Sequence, residues 1–238
     1  MRADIPCEQD HTEAIEGQRI ASEYARRDRQ VQRDLEAWAF MHDGAARGAA
    51  EMLRGAGVFP GRDAQCLEIG FGHQGWLPHL IRWGVPERNL HGIDLYTPRV
   101  KAAQELLPVA DLRTGDASHL PWENDSFHIV VASTVFTSIL NTEVRQMVAR
   151  EVIRVLAPGG ALIWYDFRMN NPANPNVRKV DREELCKLYP TLHGKIRSIT
   201  LAPPLVRLIL PTSYALANLV EAIPWVRTHL LAVLVKPA

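Results

Sequence analysis

The chain has 238 residues, with 27 acidic and 27 basic side chains and a formal net charge of zero. That length suits one α/β domain with a sizeable core, and the balanced charge lacks the basic surplus a nucleic-acid binder carries. Three scattered cysteines, Cys7, Cys66 and Cys186, argue against a disulfide frame and fit a reducing, cytoplasmic setting.

Residues 1–15 are polar and mixed, and the N-terminus lacks the apolar segment of a secretion signal. From 16 to 55 the apolar residues Ile20, Tyr24, Val31, Leu35, Trp38, Met41, Met52 and Leu53 recur at spacings near three and four, which predicts helix. This part, 1–55, reads as an N-terminal helical cap on a domain spanning 56–238. The charge cluster Arg26-Arg27-Asp28-Arg29, flanked by Glu23, Asp34 and Glu36, reads as a solvated helix face. Gly55-Ala56-Gly57 and Pro60-Gly61 then break the chain.

Beyond Gln65 short apolar runs alternate with helical patterns. Strands are predicted near 65–69, 90–94, 110–114, 128–133 and 161–167, and helices near 75–84, 97–107 and 142–156, with a short turn at 118–120. Such alternation predicts a parallel sheet with crossover helices. The first strand runs into Glu68-Ile69-Gly70-Phe71-Gly72-His73-Gln74-Gly75, the spacing G-x-G-x-x-G. Glycines there let backbone approach a ligand, and the following helix points free N–H groups and its positive end into the turn. By itself the pattern also fits a dinucleotide site, since Asp94 lies some twenty residues on, as that fingerprint asks. Glu68, Asp94, Asp116 and Ser133 all fall at predicted strand ends. In sheets of this kind ligands sit at that edge, beside the switch point.

Four ordered motifs shift the balance between the readings: Glu68 to Gly75; Gly92-Ile93-Asp94-Leu95; Gly115-Asp116-Ala117 with Leu120-Pro121-Trp122 and Asp125-Ser126-Phe127; and Arg154-Val155-Leu156-Ala157-Pro158-Gly159-Gly160. Over about residues 50–168 the chain resembles class I S-adenosylmethionine-dependent methyltransferases, and its second half resembles a bacterial subgroup acting on small molecules. The chain departs at His128, where many members carry Asp; that position opens a strand, away from the cofactor. The resemblance implies an α/β, Rossmann-like class I methyltransferase fold: a seven-stranded, mostly parallel sheet with helices on both faces. The last two strands, near 195–201 and 229–235, would form an antiparallel pair. Helices are added at the N-terminus and between those strands.

It also implies S-adenosyl-L-methionine as cofactor and S-adenosyl-L-homocysteine as product. Asp94 would accept from both ribose hydroxyls and Leu95 would pack on the adenine. Asp116 would accept from the adenine amino group, with the Ala117 N–H on a ring nitrogen. Gly70, Phe71, Gly72 and Gly75 would form the turn. Glu68 would sit beside the cofactor's amino group or order that turn. Ser133 would face the methionine part or the substrate, and Tyr24 would close over the cofactor or serve as a core aromatic. The acceptor would be a small molecule, methylated on oxygen or nitrogen, as in bacterial secondary metabolism or glycan modification. For a hydroxyl acceptor a proton must leave, and His73, Asp166 and His229 are the candidate acceptors. No metal is expected, because Ser133-Thr134 stands where metal-dependent members carry Asp. Two other readings stay open: a cofactor-binding protein without methyl transfer, and an NAD(P)-dependent oxidoreductase.

The last seventy residues are less regular. Asn170 to Asn176 favours turns, and Asp181 with Glu184 marks a helix start. The apolar stretch 203–226 is broken by Pro204, Pro211 and Pro224 and carries Arg207 and Glu221, so it does not read as a membrane span. It reads as inserted helices with a core role, a cover for the substrate pocket, a homodimer face or a membrane contact.

Overall fold

The computed structural model describes residues 15–20, 22–23, 35–72, 75–171 and 174–238. Helical residues 15–20 and 22–23 come first, followed by helix α1 (Leu35–Gly55). Then β1 (Cys66–Ile69), α2 (Leu77–Arg82), β2 (Leu90–Asp94), α3 (Thr97–Leu106), β3 (Asp111–Thr114), β4 (Phe127–Ser133), α4 (Thr142–Val155) and β5 (Leu156–Phe167) alternate. Helix α5 (Arg182–Leu188), β6 (His193–Leu201), α6 (Pro203–Ile209), α7 (Tyr214–Glu221) and β7 (Arg227–Val235) complete the order.

The strands form one sheet in the order β3-β2-β1-β4-β5-β7-β6. The first five are parallel, and β7 runs antiparallel between β5 and β6. Parallel neighbours need crossover connections, which α2, α3 and α4 supply. Chain order reverses between β1 and β4, and this switch point opens the crevice where such sheets bind ligands. Pro158, Gly159 and Gly160 fall within β5, where pairing with β4 slips between Phe127 and Ile129.

Side chains alternate across each strand, so the sheet has two apolar faces. On one, Ile129, Val131, Ile163 and Leu231 pack with Ala45, Ala49 and Leu53 of α1. Alanines bring that helix close: a Cβ on Gly48 would stand 3.0 Å from Leu231. On the other face, Leu67, Val130 and Leu162 pack with Val144, Val148, Val152 and Val155 of α4. These valines recur at helical spacing, and Asn141 caps the helix by accepting the Val144 N–H at 3.1 Å. Each buried Val or Ile contributes about 1.5–3 kcal/mol, so burial rather than propensity holds α1 and α4 in place.

Asp181 caps α5 as the sequence predicts, accepting the Glu184 N–H at 3.0 Å. The Glu184 side chain pairs instead with Arg145, which is fully buried, at 2.7 Å. Arg145 also donates to the Ile139 and Arg178 carbonyls, tying the chain after β4 to the chain before α5. The insert folds as α6 and α7. Val206 and Ala217 pack on Ala37, Phe40 and Leu201, while Leu208, Leu219 and Trp225 stay exposed. Among the described residues no helix is long and apolar enough to cross a membrane.

Candidate active site

The glycine turn follows β1 at the carboxyl edge. Gly70 and Gly72 have φ of +61° and +60°, a region a side chain makes costly. At Gly75 the constraint is space: a Cβ would stand 2.5 Å and 2.6 Å from the Glu68 carboxylate oxygens. Glu68 is fully buried beneath the turn and accepts the N–H groups of Trp76 (2.8 and 2.9 Å) and Leu77 (3.1 Å). Those donors open α2 and have no partner within the helix. Burial pushes the Glu68 carboxyl up to about 8, against the pull of the two N–H groups, and neighbouring Asp94 raises it further.

Asp94 ends β2 and is buried. One carboxylate oxygen accepts the Gly72 N–H and the other the Tyr96 N–H, each at 2.9 Å. This carboxylate therefore joins the glycine turn to the β2–α3 loop. Gly92 lies two residues earlier, where a Cβ would meet Phe71 at 2.7 Å and Leu112 at 2.9 Å. Asp116 follows β3 and turns its loop by accepting the Ser118 N–H at 2.8 Å.

Gly70, Asp94, Leu95, Asp116 and Ala117 line one cleft. Five cofactor candidates that the sequence spreads over the ends of β1, β2 and β3 thus meet at one edge. The helical residues 15–20 roof the cleft through Glu16, Gly17 and Ile20, and Val135, Ile139, Val144 and Val148 close its far side. Glu16 holds the roof down: it accepts the Leu140 N–H at 2.6 Å and pairs with Arg19 at 2.8 Å. Burial opposes its ionisation, yet Arg19 and that N–H keep its carboxyl below the ordinary value. Sequence reading placed Ile20 in a helix but missed Glu16 and Gly17. Glu16 meets Leu140 and Gly17 lies near Leu95 and Asp116, all distant in the chain, and periodicity reports no such pairing.

The remaining candidates lie elsewhere. Ser133 ends β4, buried, and its hydroxyl has no partner among the described residues. Asp166 is fully buried on β5 and accepts from the Thr137 N–H and hydroxyl and from the Phe167 N–H. Burial pushes its carboxyl up to about 6, against these donors. His229, buried on β7, stacks on Tyr165 with ring centres 4.6 Å apart. Burial pushes its imidazole down to about 3. Neither Asp166 nor His229 lines the cleft beside Asp94. Tyr24 and His73 lie outside the described residues, as does the Arg26–Arg29 cluster. His128 sits at the opposite end of β4, where its Nδ1 accepts the Gln65 N–H at 3.1 Å.

A doubly wound sheet with carboxylates and a glycine turn at its carboxyl edge defines the class: an α/β protein built around a nucleoside-type ligand site. Residues 67–164, from β1 into β5, match the family model described as a methyltransferase domain. Over 109 residues the chain is 37% identical to a phthiotriol/phenolphthiotriol dimycocerosates methyltransferase of Mycobacterium tuberculosis, covering 45% of this chain and 39% of that protein. It is 28% identical over 140 residues to a demethylmenaquinone methyltransferase of Lactiplantibacillus plantarum, covering 56% of each. The chain thus spans about two fifths to just over half of the length of these curated relatives. Among solved structures, the 1,6-didemethyltoxoflavin-N1-methyltransferase of Burkholderia thailandensis, with bound 1,6-didemethyltoxoflavin and S-adenosylhomocysteine, superposes with a TM-score of 0.65. That match has 15% identity and covers 100% of this chain and 94% of that one. Residues 67–164 thus carry a match to a methyltransferase domain, and the chain has the class I methyltransferase fold.

Proposed function

We propose that this protein transfers a methyl group from S-adenosyl-L-methionine to oxygen on a small-molecule acceptor. The observation that carries the reading is the meeting of Gly70, Asp94 and Asp116 in one cleft at the switch point. The residues present suit the cofactor. Gly70 and Gly72 leave the turn open to a close ligand. Asp94 offers a carboxylate whose oxygens are already oriented by two backbone N–H groups, suited to a pair of ribose hydroxyls. Leu95 supplies an apolar face for the adenine, and Asp116 with the Ala117 N–H its polar edge. Glu68 orders the turn from below by accepting the Trp76 and Leu77 N–H groups, with Gly75 against its carboxylate, and Phe71 is assigned as a further part of the turn. Helical residues 15–20 of the N-terminal cap roof the cleft through Glu16, Gly17 and Ile20, and Tyr24 is assigned as a further cofactor contact from its place in the sequence alone.

When bound, the cofactor supplies a methyl activated by a sulfonium. The chain's own work is then positioning, which is worth about 7–11 kcal/mol in well-oriented reactions. A hydroxyl acceptor must also lose a proton. His73, within the glycine turn, is the group we assign to take it. Asp166 acts at one remove, by fixing Thr137 beside the end of β4. The relatives named for a lipid-type acceptor and for demethylmenaquinone favour a small, largely apolar acceptor here too. The free thiols of buried Cys66 and exposed Cys186 support a cytoplasmic setting.

The test uses methyl-labelled S-adenosylmethionine with a panel of phenols, hydroquinones and aromatic amines, and product analysis by mass spectrometry. Labelled aryl methyl ethers are expected. Label on the amines alone, or no label from protein that binds the cofactor, would contradict the reading.

A further inference from the structure

The roof of the cleft sits low over its floor. Glu16, Gly17 and Ile20 line the cleft, and spacings of three and four put Gly17 and Glu16 on the same helical face as Ile20. A Cβ on Gly17 would stand 3.8 Å from Leu95 and 3.9 Å from Asp116. Ile20 is buried in one cluster with Ile93, Val135 and Ile139. With residues 15–20 seated in this way, the cavity left beneath them is about 40 Å³. That size takes a few waters, whereas small-molecule sites run from roughly 300 Å³ upward. An adenosyl group therefore has no room beside Leu95 and Asp116 while the roof is down.

Polar bonds keep it down. Arg19 donates to the Glu16 carboxylate at 2.8 and 3.0 Å, across three residues of the helix. Each partner then reaches the loop after β4. Glu16 accepts the Leu140 N–H at 2.6 Å, and Arg19 donates to the Ser138 carbonyl at 2.5 Å. The charged pair thus grips one donor and one acceptor, and hydrogen bonds to charged groups are the strong ones. The loop itself is anchored from below. Asp166 accepts the Thr137 N–H at 3.1 Å, and Arg145 donates to the Ile139 carbonyl at 2.7 Å. Both of these holders are fully buried, so any release falls to the roof side.

We propose that Glu16 and Arg19 form an autoinhibitory latch, which seats the roof on the 138–140 loop and must open before the cofactor enters. The proposal rests on the methyltransferase reading for the identity of that ligand. Seated roof and cofactor compete for one space. Only molecules with the roof raised bind, so apparent affinity is reduced by the fraction that is raised. Weakening the latch enlarges that fraction and tightens binding. A side chain that touches the bound cofactor gives the opposite sign, because losing its contact weakens binding.

Surface plasmon resonance on the immobilised full chain, with S-adenosylhomocysteine as the flowing ligand, reads both rate constants and the affinity. Glu16→Ala, which removes the acceptor of both the Leu140 N–H and Arg19, should speed association by about tenfold and tighten affinity by a similar factor. Arg19→Ala should do both by about threefold. Glu16→Gln keeps an oxygen for the Leu140 N–H and should fall between Glu16→Ala and the unsubstituted protein. Gln18→Ala, exposed on the same segment, should change neither quantity. Melting temperatures of the ligand-free variants report folding. Arg19→Ala leaves the Glu16 bond to Leu140 in place and carries the test if Glu16→Ala folds poorly. Association no faster, or affinity no tighter, in the folded latch variants overturns the proposal while leaving cofactor binding intact. Failure of the unsubstituted protein to bind S-adenosylhomocysteine overturns instead the reading on which it rests.

Discussion

Two carboxylates at the strand ends, Asp94 and Glu68, have different environments, and these separate their work. Asp94 gives one oxygen to the glycine turn and one to the following loop. Asp94→Ala should weaken S-adenosylhomocysteine binding by about 2 kcal/mol, the scale of hydrogen bonds to a charged group. A folded Asp94→Ala protein with unchanged affinity in calorimetry would remove the ribose role. Glu68 makes a distinct prediction through pH. Its native carboxyl titrates near 8, above the ordinary value of 4.5 in the unfolded chain. Between those values the native state holds a proton that the unfolded state has lost, so stability falls as pH rises through the window. Urea midpoints measured from pH 5 to 8 should therefore decline more steeply for the unsubstituted protein than for Glu68→Gln. Parallel curves would show that Glu68 is ionised throughout. His42 and His229 act in the opposite direction. Burial pushes each down to about 3, so acidification from about 6.5 to 3 protonates the unfolded chain first and favours it. His42→Phe should flatten that acid-side loss, and an unchanged loss would mean that His42 is solvated.

At the scale of elements, the turn and its supports behave as one unit. Gly75→Ala would drive a methyl into the Glu68 carboxylate, and Gly92→Ala into Phe71 and Leu112. Each should lower the melting temperature by several degrees, as overpacking costs about 1–3 kcal/mol, and Gly75→Ala should also weaken cofactor binding. Gly55→Ala at the end of α1 meets nothing within 4 Å and should be neutral or stabilising by up to about 1 kcal/mol. Differential scanning calorimetry separates these cases, and equal melting temperatures for all three variants would mean that the turn yields freely. Legibility followed the same division. Strand ends, the glycine spacing and the Asp181 cap rest on local rules, so they could be read from the chain. The roof over the cleft could not. Glu16 meets Leu140 and Ser133 meets Tyr165 only through tertiary packing, and no local pattern encodes either partner. Trp38 and Met41 were legible as a helical stripe, whereas His42, the next residue, looked like one more position of the same helix.

For the whole molecule, the sheet order and its switch point bring Gly70, Asp94, Leu95, Asp116 and Ala117 to one edge. The β6–β7 pair extends the sheet, and α1 packs with α6, α7 and Leu201 of β6 at its end. Arg145, fully buried and bonded to segments on both sides of α4, locks the chain after β4 to the chain before α5. Arg145→Ala should destabilise the protein by about 3 kcal/mol by leaving buried acceptors unmet, and a denaturation midpoint close to that of the unsubstituted protein would contradict this. The most direct measurement is calorimetric titration of the purified protein with S-adenosylhomocysteine, with NADH as the control ligand. One site per chain, micromolar or tighter, with no heat from NADH, is the expected result. Binding of NADH in its place, or of neither compound to folded protein, would contradict the account.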